Sequence, residues 1–112
     1  MKILLDIDDT AILTRDNGKT WKEHSGLKKL INLHEVYLYS GNPDIANYAA
    51  NWKTKGYFPK GNNNFPKADV LIDNDADLWI DFVEVKKTYK SIDSFFRFNQ
   101  TSSKNNKPEF NS

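Results

Sequence analysis

Ile3-Leu4-Leu5-Asp6-Ile7-Asp8-Asp9-Thr10 opens the chain with an apolar run that ends abruptly in carboxylates. Short unbroken runs of Ile and Leu, without polar alternation, mark strands covered on both faces, as in parallel sheets. The same signature returns twice: Glu35-Val36-Tyr37-Leu38-Tyr39 leads into Ser40-Gly41-Asn42, and Asp69-Val70-Leu71-Ile72-Asp73 leads into Asn74-Asp75. Helical patterns lie between these runs. Ser25 is placed to cap a helix carrying Leu27, Leu30, Ile31 and Leu33 on one face. Asn42-Pro43 starts a second helix, with Ile45, Tyr48, Ala49 and Trp52 inward and Gly56 as its stop. Asp75 heads a third, expected from Ala76 to about Lys87. Asn17-Gly18 is a turn signal within a loop or small hairpin. A short strand fits around Tyr57-Phe58, and Ser91 to Phe98 fits either a strand or a helix. Alternating strand and helix predicts an α/β fold, a three-layer Rossmann-like sandwich with a mainly parallel sheet. One domain over residues 1–99 suits a chain of 112 residues, and the polar stretch 100–112 reads as a loose tail.

Composition narrows the function classes. Sixteen basic and fifteen acidic residues leave a formal net charge of +1, so no global field recruits nucleic acid or a membrane. The absence of cysteine removes disulfides, thiolate metal sites and cysteine nucleophiles together. The N-terminal apolar run meets carboxylates too soon for a signal peptide or membrane span, which makes a cytoplasmic location the expectation. His24 and His34 have no partners at metal-ligand spacing and read as structural. Trp21, Trp52 and Trp79 read as core or rim aromatics. Lys53, Lys55 and Lys60 form at most a weak basic rim.

The three strand ends carry the chemistry. Uniform crossovers in a parallel sheet bring the carboxyl ends of its strands to one edge, where ligands bind. Asp6 and Asp8, two apart in extended chain, point the same way, and two such carboxylates need a cation or a shared proton between them. Mg²⁺ takes carboxylate and carbonyl oxygens while keeping waters. One carboxylate is then free to attack phosphorus while the other moves a proton.

In that order and approximate spacing, these segments resemble the haloacid dehalogenase superfamily. Asp6-Ile7-Asp8-Asp9-Thr10 resembles its first motif, D-x-D-x-T. Tyr37 to Gly41 is similar to the second, an apolar strand ending in Ser or Thr. Lys67 followed by Ala68 to Asn74 is similar to the third and fourth, a lysine and then a strand ending in acid or amide. The resemblance implies a Mg²⁺-dependent phosphatase. Asp6 is then the nucleophile and Asp8 the general acid and base. Thr10 steadies the loop, and Ser40 with the Gly41 amide holds the phosphoryl group. Lys67 pairs with Asp6; Lys60, which also precedes the third strand, is the alternative. Metal ligands are Asp6, the Asp8 carbonyl, Asp73 and Asn74, with Asp73/Asp77 as the alternative pair.

Neither the interval from Thr10 to Ser40 nor that from Ser40 to Lys67 has room for a cap domain, so an open site is expected. The capless branch it resembles implies substrates such as nucleotides or nucleic-acid ends first, and phosphoprotein second. The competing reading is a non-catalytic module that keeps the fold and serves binding or assembly.

Overall fold

The computed structural model describes residues 1–61 and 63–99; the expected tail at 100–112 lies outside the described residues. The chain begins with β1 (Lys2–Leu5), then a hairpin of β2 (Ile12–Arg15) and β3 (Thr20–Glu23). Next come α1 (Leu27–Leu33), β4 (Glu35–Ser40), α2 (Ile45–Trp52), β5 (Gly56–Pro59) and β6 (Val70–Ile72). The order closes with α3 (Ala76–Trp79), β7 (Lys87–Tyr89) and α4 (Ile92–Phe98). Five strands form one sheet in the order β5-β4-β1-β6-β7, every adjacent pair parallel. The expected α/β architecture with a parallel sheet is therefore present.

Alternation along each strand sorts side chains to two faces. Ile3, Leu5, Val36, Leu38, Val70 and Ile72 join one apolar cluster with Leu27 and Leu30 of α1, Ile45 and Ala49 of α2, and Ile92 and Phe95 of α4. Leu4, Tyr39 and Leu71 point the other way, to a smaller cluster with Ala76 and Val83, against which Tyr37, Phe58 and Trp79 pack. The division follows from the strand order. From β1 the chain moves outward through β4 to β5, so α1 and α2 share a face. It then restarts on the far side of β1, where a crossover of the same hand sends α3 to the opposite face. The loops leaving β1 and β6 thus part in opposite directions, and the crevice between these two strand ends is the switch point where open sheets bind ligands.

Several local expectations need correction. The helix expected from Ala76 to about Lys87 stops at Trp79, passes through a 3₁₀ turn at Ile80–Phe82, and gives way to β7. Leu78 and Phe82 are exposed and so form no inward row. Leu33 is likewise exposed, and only Leu27 and Leu30 of α1 are buried. Gly26, not Ser25, stands at the N-cap of α1. There a Cβ would lie 3.2 Å from Ile92 and 3.3 Å from Phe96, so only glycine fits without displacing α4. The second helix ends at Lys53, in left-handed conformation, while Gly56 opens β5. Ser91 to Phe98 resolves as a helix, its Ser91 hydroxyl accepting from the Ser94 amide at 3.0 Å.

His24 is structural, as expected. Its Nδ1 accepts from the Gly26 amide at 2.9 Å and its Nε2 lies 3.2 Å from Asp93, which ties the end of the hairpin to α4. No helix among the described residues is long and apolar enough to cross a membrane.

Candidate active site

β1 delivers Asp6 to the middle of the sheet edge. The strand ladder runs one residue beyond the strands. The Asp6 amide donates to the Ile72 carbonyl at 2.9 Å, the Lys60 amide to Ser40 at 3.0 Å, and the Asp73 amide to Tyr89 at 2.9 Å. The backbones of Asp6, Lys60 and Asp73 are thereby fixed by the sheet itself. After Asp6 the chain winds tightly: the amides of Thr10, Ala11 and Ile12 all point at the Ile7 carbonyl, at 3.2, 3.0 and 3.0 Å. Asp9 takes a positive φ of 62°, which Asp tolerates better than most residues, and its carboxylate accepts from the Thr14 hydroxyl at 2.9 Å. This turn folds Thr10 back on Asp6, where its hydroxyl donates to Oδ2 at 3.2 Å.

The expected lysine is not the one the fold supplies. Lys67 lies three residues before β6, and the approach to a parallel strand lies at its amino edge, on the far side of the sheet from the strand ends. There its side chain is largely exposed and pairs with Glu84 at 3.8 Å. Lys60 instead follows β5 and so emerges at the carboxyl edge. Its Nζ lies 2.7 Å from Asp73 Oδ2 and 3.3 Å from Asp6 Oδ1, with only 8% of the side chain exposed. The Trp79 ring covers this ammonium at 4.5 Å and the Tyr39 ring lies at 5.5 Å, so two carboxylates and two aromatic faces enclose it.

Asp73 is fully buried and committed to its neighbours, Oδ2 to Lys60 and Oδ1 to the Asp75 amide at 2.8 Å. The side chain nearer the crevice is Asn74. Its amide donates from the backbone to the Thr10 hydroxyl at 3.0 Å. With the NH₂ group turned inward, the side chain lies 3.1 Å from Asp6 Oδ2, 3.3 Å from the Asp8 carbonyl oxygen and 3.2 Å from Thr10 Oγ1. Asp77, the alternative to Asn74, points to solvent and pairs with Lys90 at 3.4 Å.

Asp8 stands at the exposed mouth, where the Asn42 side-chain amide donates to both its oxygens at 3.2 and 3.3 Å. Asn42 is doubly used, since its backbone amide donates to the buried Ser40 hydroxyl at 3.0 Å. That bond fills one acceptor site of the hydroxyl and leaves its proton free to donate. The Asn after Ser40-Gly41 thus couples the β4 end to Asp8, while the helix cap expected of it falls at Asp44 instead. Asp6, Asp8, Ser40, Gly41, Asn42, Lys60, Asn74 and Trp79 line a single open cleft of about 470 Å³. Lys53 and Lys55 do not join it; they line a separate groove beside Trp52 and α1.

Electrostatics single out Asp6. Burial, first, and the neighbouring Asp73 carboxylate, second, push its pKa up to about 7 against the opposing pull of Lys60. A cation beside Asp6 would favour its charged form. Among the described residues there is no group of three or more His, Cys, Asp or Glu side chains placed to hold a metal. A cation here would therefore depend on mixed oxygens: the Asp6 carboxylate, the Asp8 carbonyl and the Asn74 amide turned oxygen-inward. Carboxylate, carbonyl and amide oxygens are the hard donors that Mg²⁺ takes. The donor set fits that ion.

Comparison with family models, curated proteins and solved structures returned no match.

Proposed function

We propose that this chain is a Mg²⁺-dependent phosphomonoesterase of the haloacid dehalogenase type, acting through an aspartyl-phosphate on Asp6. One observation carries the reading. A buried carboxylate at the end of the central strand touches a caged lysine and a threonine, with the Asn74 amide and the Asp8 carbonyl grouped beside it. A solvated Asp-rich turn needs none of this burial or enclosure.

Each residue then has a defined task. An Asp6 oxygen attacks phosphorus as the ester P–O bond breaks, and Asp8, held at the mouth by Asn42, protonates the departing oxygen. Asp8 next takes a proton from water, whose oxygen attacks phosphorus; the bond from phosphorus to the Asp6 oxygen breaks, which releases phosphate and restores the Asp6 carboxylate. The Ser40 hydroxyl and the Gly41 amide serve the phosphoryl oxygens. Lys60 offsets the negative charge that gathers on the phosphoryl group, a preorganised donor whose own side chain is largely shielded from water. Bound Mg²⁺, held by Asp6, the Asp8 carbonyl and Asn74 with Asp73 behind them, would neutralise charge between carboxylate and phosphate.

The test is turnover of an aryl phosphate. The wild type should require Mg²⁺, Asp6→Asn should abolish turnover, and Asp8→Asn should accept a phosphoryl group from an activated ester but release it slowly. Metal binding without turnover on aryl phosphates, nucleotides or 3′-phosphorylated oligonucleotides would instead favour the non-catalytic module.

A further inference from the structure

A second cavity of about 390 Å³ adjoins the catalytic cleft and shares Gly61 with it. Among the described residues its lining is Tyr39, Gly61, Asn63, Asn64, Phe65 and Phe82, none of them charged. We propose that this cavity receives the base of a nucleotide whose phosphate lies at Asp6, which makes nucleoside monophosphates or nucleotide ends the substrate class. The inference rests on the phosphohydrolase reading for the position of the phosphate.

Three observations carry it. First, Phe65 and Phe82 stand together in one cavity wall and stay about half exposed, at 52% and 55%, which leaves two aromatic surfaces open to a ligand there. Phe65 does so at a positive φ of 36°, a conformation rare for a bulky residue, and outliers of that kind gather at ligand sites. Second, the buried Tyr39 forms part of the wall, and its hydroxyl has no hydrogen-bond partner among the described residues. A buried hydroxyl in that state calls for a partner from outside the fold. Third, aromatic contact leads continuously to the catalytic lysine: Phe82 lies 5.5 Å from Trp79, and Trp79 covers Lys60 at 4.5 Å.

The chemistry of the lining selects among ligands. A nucleobase offers a π-face for the phenyl rings and a donor–acceptor edge for asparagine amides. The Asn64 amide nitrogen is engaged by the Pro59 carbonyl at 3.1 Å, which leaves its oxygen as an acceptor. A phosphoserine peptide has no ring to place there, and a sugar phosphate leaves the aromatic walls uncovered. The volume lies within the range of small-ligand pockets.

Calorimetric titration of the full-length Asp6→Asn chain with Mg²⁺ tests this directly, since that variant holds phosphate ligands without turnover. The probes are adenosine 5′-monophosphate, a 3′-phosphorylated dinucleotide, ribose 5-phosphate and a phosphoserine peptide. One of the two nucleotides should bind more tightly than ribose 5-phosphate by on the order of tenfold or more, and the tighter of them identifies the source. Adding Phe65→Ala and Phe82→Ala should erase that advantage with ribose 5-phosphate affinity unchanged, whereas Phe82→Tyr should keep it. Equal affinity for nucleotide and sugar phosphate, an advantage that survives both alanines, or tightest binding of the peptide would each overturn the proposal. A base preference without any Mg²⁺-dependent turnover by the wild type would remove the phosphohydrolase reading and leave base recognition standing.

Discussion

Asp6 carries a conflict that the fold has not relieved. Its pKa is raised to about 7 from an ordinary 3.8, by burial first and by Asp73 second. Between roughly pH 4 and pH 7 the folded chain therefore holds a proton that the unfolded chain has released. Stability from this group is greatest at the acid end of that window, falls as pH rises through it, and is level above. Asp6→Asn removes the titration while keeping an acceptor for Lys60. In metal-free buffer the variant should be more stable than wild type at pH 8. The difference should shrink to near zero by pH 4. Urea denaturation of both proteins with a chelator, across that range, checks the sign. A cation at the site would oppose the effect, so added Mg²⁺ should stabilise the wild type more than the variant.

Which lysine serves the site is decided by the elements, not by local sequence. Lys60 and Lys67 lie on either side of the same loop, but one leaves the carboxyl end of β5 and the other approaches the amino end of β6. The sequence shows β5 only faintly in Tyr57-Phe58, so proximity in sequence to the strong β6 signal favoured Lys67. Lys60→Met strands the buried carboxylates of Asp6 and Asp73 and should cost about 3–5 kcal/mol, as well as the activity. Lys67→Met, at an exposed position, should stay within about 0.5 kcal/mol. Denaturation midpoints of the two variants separate these outcomes. The lost β7 has a similar origin. Val83, Val85, Lys87 and Tyr89 alternate as a strand would, but Leu78 and Phe82 upstream imitate a helical row and hide the period of two. The central strands were readable because each is an unbroken apolar run, as were Asp6, Thr10, Ser40 and Asn74, which lie at their ends or within a few residues beyond. Asn42 and Trp79 were not, because their roles exist only across elements distant in sequence.

The whole molecule is unevenly built. Three helices cover one face of the sheet, while the other rests on the short α3, the turn after it and a few aromatic side chains. The thin face is also the one that encloses Lys60, through Tyr39 and Trp79. Leu71, fully buried at its centre, should cost about 2–5 kcal/mol when cut to alanine, readable by chemical denaturation. The residual cavity would lie under the lysine cage rather than under the helices. On the edge between these faces, the backbones of Asp6, Lys60 and Asp73 continue the sheet's hydrogen-bond ladder. The backbones that carry these side chains cannot be displaced without breaking that ladder. In the proposed phosphohydrolase, control over turnover is therefore left to what surrounds them: the Asn42 tether on Asp8, the hairpin after Thr10 and the aromatic rim. The centre behaves as a fixed anvil, and adaptation to new substrates belongs to the loops, where a change of side chain need not disturb the fold.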